Sequence, residues 1–422
     1  MADHISVPAI EGANLERADS AWSPLREPVF RSLWIAAVIS YTGTWMQNVG
    51  AGWLMTQLSP SPLMVSLVQA AASLPVFFVV LPAGALADMV DRRRLLLFAQ
   101  GWMVVAAAVL GVLTLLQAVT PWVLLLFTLL MGIGAVLNDP AWQAITPDII
   151  SPRRHAAGVA LNSAGFNVAR AVGPALGGIV VAAAGSGWSF LLNAASFFGV
   201  IFFLLRWRSI ADPLPTRKMR DAIAEGFRYA RATPQVRSVL IRTAAFSGGA
   251  SSLLALLPLI CQPHGAQGYG FLLTCFGLGA LSGAAILPRL RLRYSVDGLV
   301  AAATLIFAAM TLAAGQVHVF EWLCMVLFTA GAAWIGILAC FNVVAQTMCP
   351  SWVRARALSM YLLVLQGGMA VGSAFWGALA GRFGVPAALA WSSLAMVLGL
   401  TSIVRHRLTT AELKMAPAVV RD

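Results

Sequence analysis

Twelve apolar stretches, each long enough to cross a lipid bilayer, punctuate this chain at 31–57, 64–87, 95–117, 120–145, 157–184, 188–206, 238–260, 268–288, 297–315, 319–345, 357–380 and 386–404. A membrane-spanning helix needs about 20 predominantly apolar residues. With 59% hydrophobic and 10% charged residues, little of the chain is left for a separate water-soluble domain. The basic residues then give the stretches a direction. Counting Arg206 and Arg242 with the sixth connection, 26 of the 28 Lys and Arg fall in the two tails and the even-numbered connections. The odd-numbered connections hold only Arg382, and Arg170 lies inside the fifth stretch. Basic segments resist translocation, so this alternation predicts an all-α polytopic membrane protein with both termini on the cytoplasmic side.

The same bias accounts for the net charge of +12. No basic face carries interleaved base-stacking aromatics, so nucleic-acid binding is excluded. The first thirty residues are polar and mixed in charge, and the first span is expected to be retained rather than cleaved. Cys261, Cys275, Cys324, Cys340 and Cys349 lie in or beside apolar stretches without C-x-x-C spacing, and read as small packing residues. There is no P-loop, no H-E-x-x-H, no G-x-S-x-G and no His/Cys pattern for a metal. The sequence therefore predicts neither enzyme nor cofactor nor metal.

The chain divides into a tail (1–30), a six-span half (31–206), a basic linker (207–237), a second six-span half (238–404) and a tail (405–422). Within the linker, Met219–Ala232 reads as an amphipathic helix lying on the membrane surface. The halves echo each other. Gly84-Ala-Leu-Ala-Asp88, followed by Arg92, Arg93 and Arg94, corresponds to Gly283-Ala-Ala-Ile-Leu287, followed by Arg289, Arg291 and Arg293. Asp139-x3-Gln143-x3-Pro147 corresponds to Asn342-x3-Gln346-x3-Pro350. Two parallel six-span repeats place a substrate site between the halves near mid-membrane.

At these phrases the chain resembles the major facilitator superfamily. It is similar to the transmembrane secretion effector branch, which includes the enterobactin exporter. The likeness also rests on Ser40-Tyr-Thr-Gly-Thr-Trp-Met-Gln-Asn48, Asn138-Asp-Pro-Ala-Trp-Gln143, Asn167-Val-Ala-Arg-Ala-Val-Gly-Pro-Ala-Leu-Gly-Gly178 and Gly226-Phe-Arg-Tyr229, and covers about 22–406. It implies a secondary active exporter working by alternating access, with protons as the coupling partner and an amphipathic organic molecule as substrate: a drug, siderophore or secreted metabolite. An importer, a metal exporter, a lysophospholipid transporter and a non-transporting scaffold or sensor are the alternatives. A monomer in contact with membrane lipid, in a bacterial inner membrane, is expected.

Individual residues follow. Gly84, Asp88, Arg92 and Arg93 match the family's cytoplasmic gate, in which the acid caps span 11 and pairs with the following basic residues. Met89 and Asp91 depart from the pattern. An anion at the C-terminal end of its own helix is disfavoured, so Asp88 needs an external partner. Gly173, Pro174, Gly177 and Gly178 form a close-packing motif: the first and third share a face, and the proline frees a carbonyl and permits bending. The resemblance pairs span 5 with span 8 and span 2 with span 11 across the halves. Thr44, Gln47, Asn48, Asp139, Asn167 and Arg170 are the substrate and coupling candidates. Arg170 either holds an anionic or catechol-like group or is a structural arginine bonded to Asn167, Gln47, Asn48 or free carbonyls. Asp139 either carries protons or caps the end of span 4. Charge at membrane depth marks function by default, so both are singled out.

Overall fold

A computed structural model of the chain describes residues 22–151, 154–207, 233–347, 351–404, 406 and 408. Among these residues there are twelve α-helices and no strand. They are α1 (Pro28–Leu58), α2 (Pro62–Met89), α3 (Arg92–Leu115), α4 (Pro121–Ile149), α5 (His155–Ala184), α6 (Ser186–Arg206), α7 (Pro234–Ile260), α8 (Gly265–Arg293), α9 (Val296–Ala314), α10 (Phe320–Thr347), α11 (Ser351–Phe383) and α12 (Val385–Gly399). Each matches one apolar stretch and extends past it by a turn or less at most ends. The end of the bundle that carries the arginine clusters is called the basic end, and the opposite one the far end. The predicted surface helix at Met219–Ala232 lies outside the described residues. α7 starts at Pro234, inside the stretch read as linker.

Local chemistry sets the helix ends. Pro28, Pro62, Pro121 and Pro234 open helices, where a missing N–H costs nothing and the fixed φ helps. Side chains of Asp91, Thr120 and Ser295 accept from the first-turn amides of Arg94, Val123 and Gly298 at 3.1, 3.3 and 3.2 Å. Two far-end hairpins turn on glycine: Gly185 (φ 90°) between α5 and α6, and Gly384 (φ 85°) between α11 and α12. Side chains avoid that conformation. The two glycines are 199 positions apart, the same offset as Gly84 and Gly283, so the repeat seen in sequence is also a repeat of backbone conformation.

Eleven of the twelve helices are long and apolar enough to cross a membrane by themselves. The exception is α1, long enough but too polar, because it spends its middle on Thr42, Thr44, Gln47 and Asn48. The chain is an all-α polytopic membrane protein of the major facilitator fold. In the first half α1 packs on α5 and α6, α2 on α4, and α3 on α4 and α6; in the second, α7 packs on α11 and α12, α8 on α10, and α9 on α10 and α12. Across the halves, α2 meets α11 and α5 meets α8, as the resemblance implied. In the main core cluster of the second half Trp334 rings with Phe246, Phe276 and Phe307 at centroid distances of 5.6, 6.2 and 5.7 Å.

The structure moves one arginine. Arg242, counted with the sixth connection, lies inside α7 and is 3% exposed, in an ion pair with Asp297 of α9. That carboxylate also accepts the backbone N–H of Leu408 at 3.1–3.2 Å, and the Leu408 side chain is buried in the second-half core. A charge this close to a predicted span boundary is indistinguishable from a loop charge in sequence, since burial depends on a partner 55 residues away.

Candidate substrate cavity and gate

Three surfaces of α5 explain the site. Gly165, Gly173 and Gly177 face α1: a Cβ at Gly173 would sit 2.6 Å from the Trp45 Cβ, and one at Gly177 would sit 2.8 Å from the Met46 Cα. Trp34 of α1 also donates from its indole to the Leu161 carbonyl at 2.9 Å. A second stripe, Ala171, Pro174 and Gly178, faces α8, where a Cβ on Gly178 would lie 2.8 Å from the Ala266 carbonyl oxygen. Opposite Arg170 stands Gly277 of α8, whose Cβ would lie 2.9 Å from the Arg170 carbonyl oxygen. Pro174 has no N–H to give that carbonyl, so it is free of its helical bond and turned toward the other half. The arc between the two stripes carries Ser163, Phe166 and Arg170.

These approaches between α5 and α8 run from Gly178 to Arg170. Toward the basic end, Ala160, Ser163 and Ala164 of α5 and Ala284, Ala285 and Ile286 of α8 are exposed. At the far end Tyr269 of α8 lies over α1, its hydroxyl 2.7 Å from where a Cβ on Gly52 would stand. Val49 and Trp53 of α1 pack into the second-half core there, and Leu259 of α7 packs into a first-half cluster. The contacts between α1, α7 and α8 across the halves thus lie toward the far end, and the α5 and α8 residues nearest the basic end are exposed.

On the first-half wall, Tyr41 and Trp45 of α1 enclose Phe166 of α5, with ring centroids 5.3 and 6.3 Å apart. Tyr41 also meets Trp142 of α4 edge-on at 6.4 Å. Asp139 lies one turn before Trp142 and is exposed, within electrostatic reach of Tyr41. Its neighbour Asn138 turns the other way, into the protein, and accepts from Gln100 of α3 at 2.9 Å. Asn48 is exposed and Thr44 half-buried on the inner arc of α1, with Thr44 bonded to the Ser40 carbonyl at 3.0 Å. Gln47 is not on that arc. It is 5% exposed and accepts a 2.6 Å hydrogen bond from Asn193 of α6. Asn167 donates to the Ser163 carbonyl at 2.8 Å.

None of those residues is bonded to Arg170. Its Nε and Nη2 are buried and have no hydrogen-bond partner among the described residues. Asp139 and Arg170 do not pair with each other either. No group of three or more metal-binding side chains occurs among the described residues.

The gate phrase ends α2, with Gly84 and Asp88 in its last turns, but their side-chain surroundings lie outside what the structure describes. Arg93 has partners the sequence did not suggest. It donates from Nε and Nη2 to the Leu204 and Leu205 carbonyls at 2.5 and 2.9 Å, satisfying the C-terminal end of α6. Arg92 is half-buried. Arg291, at the corresponding end of α8, instead reaches the Ala339 carbonyl in the interior of α10 at 2.9 Å. A basic residue serving a helix C-terminus is predictable from the dipole, but which helix it serves is not.

Twelve helices packed as two six-helix halves have the architecture of a major facilitator transporter. The chain belongs to the transmembrane secretion effector family, whose model matches residues 19–420. The multidrug efflux pump Tap of Mycolicibacterium fortuitum is 26% identical, covering 90% of this chain and 97% of that protein. The enterobactin exporter EntS of Salmonella typhi is 26% identical, covering 88% and 90%. The staphyloferrin A transporter of Staphylococcus aureus is 24% identical over 60% of this chain and 65% of its own length. Among solved structures, the nucleoside transporter NupG aligns with TM-score 0.75 at 12% identity, over 90% of this chain and all of that one. A bacterial homologue of the lysosomal transporter Spinster, inward-facing and unoccupied, aligns with TM-score 0.66 at 17% identity, over 91% and 95%.

Proposed function

We propose that the chain is a secondary active exporter of amphipathic small organic molecules, driven by the proton gradient and working by alternating access. The observation that carries this reading is a pair of charges at membrane depth, Asp139 and Arg170, neither of which has an ion-pair partner among the described residues. Unpaired charge at membrane depth is costly and is kept for binding or coupling. The positive-inside bias supports a cytoplasmic basic end, with both termini in the cytoplasm. The relatives named as efflux pump and siderophore exporter point the same way. A bacterial inner membrane is the natural setting.

In this reading 31–206 and 238–404 are the two moving halves, joined by the linker 207–237. Asp139 is the proton-exchanging acid. Gly84, Asp88, Arg92 and Arg93 form the cytoplasmic latch, and Gly173, Pro174, Gly177 and Gly178 are the bearing on which the halves rock. The working unit is a monomer in lipid. The test is uptake of lipophilic dyes and catecholate siderophores by everted membrane vesicles. Uptake that collapses with an uncoupler supports the reading. Uptake indifferent to uncoupler removes the proton, and movement in the opposite direction removes export.

A further inference from the structure

Two thiols face each other across the seam between α8 and α10, whose register is constant. A Cβ on Gly279 would lie 2.9 Å from the Phe328 Cα, and one on Gly283 would lie 2.9 Å from the Ala332 Cα. Each pair is 49 positions apart. One turn nearer the far end, the same offset brings Cys275 to Cys324, and a further turn brings Phe271 to Phe320. The phenyl rings of that outer pair are 5.9 Å apart between centroids. The cysteines are thus bracketed by contacts on both sides, and their side chains are hydrogen-bonded to each other. Both are half-buried free thiols.

Position decides what such a pair can do. Glu321 and Trp322 are exposed at the start of α10, a charge and an indole that mark the membrane boundary. The helical rise from Glu321 puts Cys324 roughly 5 Å inside that boundary. The far end lies opposite the arginine clusters. In the exporter reading it is the outward side, and outward compartments let disulfides form and persist. A disulfide spans about 4.4–6.8 Å between Cα atoms, a separation that helices packed through glycine reach. Cys261 is also within electrostatic reach of Cys324, but it is fully buried at the end of α7. We propose that Cys275 and Cys324 form a redox site that closes to a disulfide between α8 and α10 on the outward side. The Cys324 thiolate attacks a disulfide oxidant, whose S–S bond breaks and releases one thiol. The Cys275 thiolate then attacks the Cys324 sulfur and displaces the second thiol. Both cysteine protons and two electrons leave on the oxidant. The new bond ties α8 to its own half and leaves free the opposite face, where Gly270 and Gly277 meet α5. The site rests on the exporter reading only for which side is outward.

The purified full chain, reduced and then freed of reductant, is treated with one equivalent of 2,2′-dithiodipyridine. Each displaced pyridine thione is read by absorbance, and linked peptides are identified by mass spectrometry. Two thiones per chain and a peptide joining Cys275 to Cys324 are expected. One thione per chain, with a mixed disulfide that persists, overturns the proposal, and so does linkage of Cys324 to Cys261. Cys275→Ser should stop at one thione, and the unaltered chain decides even if that variant fails to fold. In cells quenched with N-ethylmaleimide, most of the protein should carry the same linked peptide. Linkage in detergent with both cysteines alkylated in cells overturns the outward site. Dye uptake by everted vesicles, read in parallel, decides the exporter reading separately.

Discussion

Gly178→Ala should bias the molecule toward the state that opens at the far end. The new methyl group would lie 2.8 Å from the Ala266 carbonyl oxygen, 3.1 Å from the Gly270 Cα and 3.2 Å from the Gln267 Cα. All three are backbone atoms, so no side chain can swing aside. Ordinary carbon contacts begin near 3.5 Å, so α8 must retreat by about half an ångström. Overpacking of that kind costs about 1–3 kcal/mol. The cost exists only while α5 and α8 touch. A state parted at the far end does not feel it, and gains in relative population by roughly 5- to 150-fold. Helix propensity works in favour of folding, since Ala is better than Gly by about 1 kcal/mol. The assay uses a background without Cys261, Cys275, Cys324, Cys340 and Cys349, with Ala266→Cys as reporter. Ala266 is 5% exposed. A membrane-impermeant maleimide added to intact cells should label the reporter about tenfold faster in the Gly178→Ala protein. Gly101→Ala, where a Cβ meets nothing within 4 Å, is the control and should leave the rate unchanged. Equal labelling in a folded Gly178→Ala protein would refute the reasoning, because the seam would then not be the contact that holds the far end shut.

Further expectations concern stability and coupling. Arg242→Met alone should lower the stability of the detergent-purified protein by about 3–5 kcal/mol, because it strands the Asp297 carboxylate; adding Asp297→Asn should recover most of it in a thermal-shift assay. Asn193→Leu leaves buried Gln47 without its donor and should cost about 1–3 kcal/mol, whereas Asn48→Leu, on the open arc, should cost almost nothing. Asp139→Asn should abolish uncoupler-sensitive uptake in everted vesicles while leaving the melting temperature unchanged; a large loss of stability would make it a structural cap instead.

Helix existence was legible in the chain because bilayer thickness sets a length that hydropathy can measure, and because Lys and Arg record which side each loop occupies. The seams were legible in part. Gly173-x3-Gly177 announces a close approach, but only the structure shows that it serves α1, while Gly178 one step further serves α8. Residue roles were less legible, since a single position of rotation separates them. Asn138 turns toward Gln100 while Asp139 is exposed, and Gln47 turns to Asn193 while Asn48 is exposed. Sequence spacing groups such neighbours together, and the angular position of the next helix divides them. Arg93 shows the same limit: the need for a partner is visible in the sequence, and the partner, 111 residues away, is not.

The polarity of α1 carries a consequence for biogenesis. This helix precedes the other eleven in the chain, yet it is the one among the twelve that falls short of the apolar run expected of a membrane span. The contacts that compensate arrive late. Leu161, which takes the Trp34 indole proton, follows 127 residues behind, and Asn193, which satisfies Gln47, follows 146 residues behind. The polar groups of α1 therefore gain these partners only after α5 and α6 have been made. A nascent chain arrested after α4 should then hold its opening helix in the membrane less firmly than one arrested after α6, as read by extraction.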